Sequence, residues 1–263
     1  KEYVFARYGV NDEAIRQAWS LLGKGIYNSP KDKHQQGTHE SLFCARPGLD
    51  VKSASTWAMS KDYYNPKEVM EAARLMLSVA DKYQGNNNFE YDLVDILRQA
   101  IAEKGRLVLK VVSAAYQAED KALFDMASNS FLNLILLQDE LLGTRKEFRV
   151  GNWTGMARKI GNTLEEKDLY EWNARVQITT WGNRDVADKG KLRDYAHKEW
   201  NGILKDFYYK RWKIYFEGLS ASLEGKQLPV IDWYAIEEPW TKISDTYSAT
   251  PEDNCVEVAK RVY

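Results

Sequence analysis

Hydrophobic residues along the chain recur at every third or fourth position, which is the period of an α-helix. The first such segment places Ile15, Trp19 and Leu22 on one helical face, behind a cap at Asn11-Asp12. Later segments repeat this pattern and are bounded by Pro, Gly and Asn residues, with a cap at Asn65-Pro66 before the second and a capping-box-like Thr163-x-x-Glu166 before the sixth. The pattern predicts helices over residues 11–27, 65–84, 89–118, 121–142, 153–160, 163–180, 192–223 and 251–262.

The best candidate strand is the short apolar run from Val108 to Val112. Helical pattern flanks this run on both sides, so we assign it to the helix over residues 89–118. The chain has no internal repeat of fixed period and no low-complexity linker. These features predict an all-α fold, in which residues 1–263 form a single domain of about eight helices with long connecting loops and no substantial sheet.

Composition and charge exclude several classes of protein and partner. The 263 residues are 44% hydrophobic and 29% charged, which is typical of a globular protein rather than a disordered chain. The 37 Lys and Arg residues nearly balance the 38 Asp and Glu residues. The chain therefore has no net positive charge that would favour binding to nucleic acid. No apolar run approaches the roughly 20 residues that span a bilayer. We therefore expect no nucleic-acid partner and no membrane insertion.

The common catalytic and cofactor motifs are missing. The chain contains no HExxH, CxxC, GxSxG or phosphate-binding loop, so we expect no cofactor and no metal site. Cys44 and Cys255 lie far apart and in no metal-ligand spacing, which leaves their role open. A di-iron site needs two Glu-x-x-His pairs, and the nearest feature is a single Asp194-x-x-His197, which we interpret as a solvated pair on a helix face.

Two places in the sequence are candidates for ligand binding. His39 lies in a long polar segment between the first two predicted helices, where it either binds a polar ligand or is an ordinary surface-loop residue. Trp181 ends one predicted helix and Tyr195 begins the next. Their rings either line a cleft, where an indole stacks on the apolar face of a sugar, or pack in the core. Composition and spacing leave both alternatives open.

Several sequence blocks resemble the carboxy-terminal region of glycoside hydrolase family 89, the alpha-N-acetylglucosaminidases. The similar blocks follow one another in order along the whole chain, and the most specific are residues 91–100, 172–182, 192–200 and 208–212. The resemblance implies an all-α C-terminal domain of a larger, exo-acting glycosidase. In that family, two glutamates on a barrel-type domain perform retaining hydrolysis of terminal α-linked N-acetylglucosamine. We expect no catalytic residue in this chain, because the barrel domain has no counterpart in it.

The resemblance also implies a role for individual residues. Matched to the family's blocks, the substrate-binding residues of the pocket wall are His39, Trp181, Leu192 and Tyr195. Arg175 and Arg211 match arginines that we interpret as structural ion-pair or cap formers. The expected partners are a glycan with terminal α-linked N-acetylglucosamine and the barrel domain of the parent chain, in a periplasmic, secreted or lysosome-like compartment. The alternative is a stand-alone helical carbohydrate-binding or interaction module.

Overall fold

The computed structural model describes residues 2–28, 39–56 and 63–263. These ranges form ten α-helices: α1 Glu2–Tyr8, α2 Glu13–Lys24, α3 Pro66–Ser78, α4 Asn87–Gln117, α5 Lys121–Gly143, α6 Val150–Arg158, α7 Leu164–Gln177, α8 Tyr209–Leu223, α9 Trp233–Thr241 and α10 Cys255–Val262. In the same ranges, the only β-type pairing is a single bridge between Arg149 and Asn201. The prediction of one all-α domain without a substantial sheet is confirmed.

Side-chain caps explain where several helices begin. The carboxylate of Asp12 accepts hydrogen bonds from the first backbone amides of α2. Asn65 caps α3 and is followed by proline, which suits the first helical position because no amide is needed there. Thr163 and Glu166 form a reciprocal capping box at the start of α7. These starts agree with the caps read from the sequence.

The core centres on α4 and α5, which pack along each other, with α8 against α5. A short 3-10 turn over Leu42–Cys44 inserts Phe43 between these helices. The ring centroid of Phe43 lies 5.0 Å from that of Phe131, which in turn lies 4.6 Å from that of Trp212. The Trp212 indole N–H donates to the Phe43 carbonyl oxygen at 3.1 Å. One buried aromatic cluster therefore joins α5, α8 and the segment that follows His39.

The prediction of one long helix over residues 192–223 is wrong in its first third. Residues 191–202 are irregular, a π-helical turn covers Leu204–Tyr208, and α8 begins at Tyr209. Lys191, Asp194 and His197 have positive φ angles of 55°, 56° and 32°, which a right-handed helix cannot contain. The apolar residues of this stretch do follow a helical period. Tertiary hydrogen bonds, described below, override it.

The sequence pattern does not predict two short helices of the structure, α1 and α9. α1 precedes the first recognisable cap, and its buried residue Tyr8 donates a hydrogen bond to Asp92 on α4. α9 contains Pro239, which argues against a helix when the sequence is read alone. Both helices are held by distant side chains, so local periodicity could not identify them. Every helix in the described ranges is too short or too polar to cross a bilayer.

The contact between α4 and the Phe43 ring generates a stability prediction. A Cβ atom added at Gly105 would lie 2.5 Å from Phe43 Cε1 and Cζ, and that ring is fully buried. We expect Gly105→Ala to lower the free energy of unfolding by about 1–3 kcal/mol, because overpacking outweighs the better helix propensity of alanine. Gly155→Ala in α6 is the matched control, since no atom lies within 4 Å of its added Cβ. Urea unfolding that ranks the two variants equally would contradict the prediction.

Candidate functional site

Trp181 and Tyr195 meet at the surface, just beyond the end of α7. Their ring centroids are 5.5 Å apart, with the ring planes inclined at 56°. Trp181 is 40% exposed and Tyr195 is 51% exposed, so neither ring belongs to the core. The structure thus brings together the two aromatic residues singled out in the sequence and excludes the core-packing alternative. We call this pair the aromatic platform.

The backbone beneath the platform has an unusual conformation. Trp181 has a φ of 63°, in the left-handed region that favours glycine, and its amide donates to the Val176 carbonyl oxygen at 2.8 Å. A non-glycine residue held there costs roughly 1–3 kcal/mol. The Asp194 amide donates to the Thr179 carbonyl oxygen at 2.9 Å, which ties the turn after α7 to the segment that carries Tyr195. Long-range backbone contacts therefore hold the two rings together.

Leu192 lies in the same turn as Tyr195. Its carbonyl oxygen accepts a hydrogen bond from the Tyr195 amide at 3.3 Å, and its own amide lies 3.4 Å from the Val186 carbonyl oxygen. The side chain is half-buried. Three of the four predicted site residues therefore lie in two neighbouring places: Leu192 and Tyr195 in one turn, and Trp181 just beyond the end of α7.

His39 occupies a different environment from the platform. The residue is 8% exposed, so the surface-loop alternative is wrong. Its amide donates to the Tyr64 hydroxyl oxygen at 3.1 Å, and its imidazole stacks on the Tyr64 ring with centroids 4.2 Å apart. Imidazole Nδ1 lies 3.2 Å from Oε1 of Glu103. A carboxylate beside Nδ1 fixes the orientation of the ring.

Sequence reasoning did not identify Glu103, the centre of this polar cluster, as a site residue. It lies in the middle of α4 with no exposed surface. Its carboxylate accepts hydrogen bonds from the Tyr64 hydroxyl and from Gln99 Nε2, the latter at 3.1 Å, and Arg106 Nε lies 3.5 Å away. Burial and the adjacent Glu103 charge raise the pKa of Tyr64 well above its ordinary value, so the phenol remains a donor. A glutamate inside a helical pattern carries no signal for such a role.

A cleft of about 250 Å³ connects the His39 environment to the segment after Tyr195. Its lining includes His39, Glu40 and Arg98, together with the segment from Ala196 to Trp200. Within this lining, Glu40 Oε1 lies 3.6 Å from Nδ1 of His197. The segment that directly follows Tyr195 therefore shares one depression with His39, whereas the platform rings themselves do not line it.

Buried ion pairs support the turn that carries Leu192 and Tyr195. Arg211 Nη1 lies 3.1 Å from both carboxylate oxygens of Asp194 and 2.9 Å from Glu237 Oε1. Glu237 also accepts two hydrogen bonds from Arg46, at 2.8 and 2.6 Å. Burial raises the pKa of Asp194 to about 6, against the opposing effect of the Arg211 charge. We call Asp194, Arg211, Glu237 and Arg46 the ion-pair network.

The network corrects one expectation and confirms another. Asp194 and His197 do not form a solvated pair on a helix face, because Asp194 is buried against Arg211 while His197 faces Glu40. Arg211 has the predicted structural role, and so does Arg175, which is buried and bonded to Glu171 at 2.5 Å. Cys44 and Cys255 are free thiols, both buried. Within the described part of the chain, no cluster of three His, Cys, Asp or Glu residues could hold a metal.

Comparisons with known proteins agree on one family. The family model of the alpha-N-acetylglucosaminidase (NAGLU) C-terminal domain matches residues 1–263. Human alpha-N-acetylglucosaminidase is 30% identical over 264 residues, which cover 98% of this chain and 34% of the human protein. A family 89 glycoside hydrolase from Clostridium perfringens, in complex with PUGNAc, superposes with a TM-score of 0.93 and 37% identity, covering 99% of this chain and 30% of that one.

A second structure of the Clostridium perfringens enzyme has two glutamates replaced by glutamine and contains its substrate, GlcNAc-alpha-1,4-galactose. It also has a TM-score of 0.93 and 37% identity, over 98% of this chain and 30% of that one. The chain therefore spans about a third of the length of these relatives.

The buried position of Glu103 generates a second stability prediction. Glu103→Ala removes the common acceptor of several buried donors, and we expect the free energy of unfolding to fall by about 3–5 kcal/mol. The matched control is Glu71→Ala on α3, whose ion pair with Arg74 is exposed to solvent. The control should leave the thermal midpoint nearly unchanged. Equal midpoints for the two variants would show that the Glu103 cluster does not stabilise the fold.

Proposed function

Because this chain belongs to the family of alpha-N-acetylglucosaminidase C-terminal domains, we propose that it is the helical domain of an exo-acting glycosidase. The parent enzyme removes terminal α-linked N-acetylglucosamine from glycans, and this domain forms one wall of its substrate pocket. The observation that carries the proposal is the exposed aromatic platform of Trp181 and Tyr195. Exposed rings held by a strained backbone are costly for stability alone and are typical of a binding surface.

Each predicted site residue has a part in the proposed pocket wall. Trp181 and Tyr195 stack on the apolar face of the terminal sugar, and Leu192 extends this apolar surface beside Tyr195. His39 lines the cleft that it shares with the segment after Tyr195, and the Glu103 carboxylate orients its imidazole. The wall thus combines an apolar surface with a few oriented polar groups, as sugar-binding sites require.

The acid and the nucleophile of the reaction lie outside this chain in our proposal. A retaining mechanism needs two carboxyl groups about 5 Å apart on either side of the glycosidic bond. The carboxylates beside Tyr195 and His39 already have other partners. Asp194 binds Arg211, Glu40 accepts hydrogen bonds from Ser55, and Glu103 has no exposed surface. This supports assigning the catalytic glutamates to a barrel domain of the parent enzyme, which packs against the platform side of this domain.

The proposed substrate is a glycan that ends in α-linked N-acetylglucosamine. The related Clostridium perfringens enzyme was captured with GlcNAc-alpha-1,4-galactose, and the human relative is named for the same terminal sugar. We place the parent enzyme outside the cytoplasm, in a periplasmic, secreted or lysosome-like compartment, by analogy with this family. No cofactor takes part, because two carboxyl groups suffice for retaining hydrolysis.

The division of labour between domains predicts that the 263-residue chain alone is inactive. A pocket wall without the acid and the nucleophile binds sugar but does not turn it over. The purified chain should release no aryl group from an aryl α-N-acetylglucosaminide, while the full-length protein should do so readily. Turnover by the isolated chain, abolished by replacing one of its own carboxylates, would contradict the proposal.

The platform itself predicts the phenotype of Trp181→Ala in the full-length enzyme. Loss of a rigid stacking surface should weaken transition-state binding by about 2 kcal/mol, which is roughly thirtyfold in kcat/KM. The melting temperature should change little, because the indole is 40% exposed and lies outside the core. Trp172→Ala is the matched control, since Trp172 on α7 is 43% exposed and lies outside the platform. Unchanged kcat/KM for Trp181→Ala would remove Trp181 from the site.

A further inference from the structure

Backbone strain is concentrated around the platform. Among the described non-glycine residues with positive φ, four lie between residues 181 and 197: Trp181, Lys191, Asp194 and His197. Left-handed backbone at such residues persists only where surrounding contacts hold it. Some group must therefore anchor this segment against relaxation.

Asp194 makes the contacts that such an anchor requires. Both the Asp194 side chain and the Arg211 side chain are 1% exposed, and Arg211 Nη1 lies 3.1 Å from each carboxylate oxygen. Arg211 in turn donates to the Cys44 carbonyl oxygen at 2.6 Å through Nη2. The carboxylate is thus fixed to α8 and, through it, to the buried turn that contains Phe43.

The Asp194 backbone connects the contact with Arg211 to both sides of the platform. Its amide donates to the carbonyl oxygen of Thr179, two residues before Trp181, and its carbonyl oxygen accepts from the His197 amide at 3.0 Å. Tyr195 follows directly in the chain. One residue therefore links α8, the turn under Trp181 and the residue that carries the second ring.

We propose that Asp194 is the positioning residue of the sugar-binding wall: its buried pair with Arg211 holds the strained turn that sets Tyr195 against Trp181. The inference rests on the proposed function of the platform. Asp194 does not touch the sugar. It acts by keeping the two rings in one geometry, so that little ordering is needed when the sugar binds.

A carboxylate serves this purpose better than any neutral side chain. The guanidinium of Arg211 is buried, and a buried charge needs a charged partner with good geometry. Glu237 also contacts Nη1 of Arg211, but it is shared with Arg46 and lies on α9. It therefore provides no connection between Arg211 and the segment that carries Tyr195. Aspartate also tolerates left-handed backbone more readily than most residues. Charge and backbone preference thus coincide at this position.

The test is a double-mutant cycle in the full-length enzyme. Asp194→Gly removes the carboxylate while accepting the left-handed backbone, and it is measured with Trp181 intact and in the Trp181→Ala background. We expect about a tenfold loss of kcat/KM per folded molecule with Trp181 intact, and less than about a twofold further loss when Trp181 is already alanine. Equal losses in both backgrounds, or no loss in either, would overturn the proposal.

A second variant and a control separate positioning from general destabilisation. Asp194→Asn keeps the size of the side chain and should lose less activity than Asp194→Gly, with the same non-additivity. Asp139→Asn is the matched control, because Asp139 is also buried and accepts hydrogen bonds from the Gly202 and Lys205 amides, which belong neither to the platform nor to the cleft lining. It should lower the melting temperature without changing kcat/KM.

A structural measurement keeps the inference independent of the proposed function. If Trp181→Ala has normal activity, the platform is not a sugar-binding wall and the proposed function fails. The positioning role of Asp194 is then decided by a crystal structure of Asp194→Gly. Loss of the Trp181–Tyr195 ring contact would support the role, and retention of the 5.5 Å centroid distance would overturn it.

Discussion

The buried pairing of Arg211 with Asp194 and Glu237 is the interaction on which the proposed sugar-binding surface depends. Arg211 sits on α8 beside the central aromatic cluster, and its guanidinium reaches three separate parts of the chain: the turn after Phe43, the segment under Tyr195 and helix α9. Burial of a guanidinium is unfavourable unless its donors are used. That requirement forces irregular chain segments to converge at one place. The contacts with Arg211 thereby hold these surface segments in fixed positions relative to the core.

Rigidity at this surface has a consequence for sugar binding. Trp181 and Tyr195 come from segments that are not helical, and flexible rings would lose conformational entropy on binding a sugar. The left-handed backbone of the 181–197 region is the conformation that these contacts maintain. The free energy stored in that strain is offset by the ion-pair network and the surrounding hydrogen bonds. The proposed binding surface is thus organised before any sugar binds.

The polar side of the proposed pocket follows a similar principle. Glu103 is buried in α4, and it contacts Tyr64, which precedes α3, and His39, which precedes the turn over Leu42–Cys44. In a medium of low dielectric constant, such charge-assisted contacts are strong and directional. A long helix therefore provides the fixed point from which a loop residue is oriented. Both halves of the site use a buried charge on a rigid element to position residues on irregular segments.

The sequence by itself determined the helical class, most helix positions and the caps at Asp12, Asn65 and Thr163, because these follow from local period and local hydrogen bonding. It also identified Trp181 and Tyr195 as ligand-binding candidates. Only the tertiary structure decided that residues 191–202 are not helical, that α1 and α9 form, and that Glu103 and Asp194 make buried contacts beside His39 and Tyr195. Each of these depends on contacts between residues distant in the chain, for which the helical period carries no information.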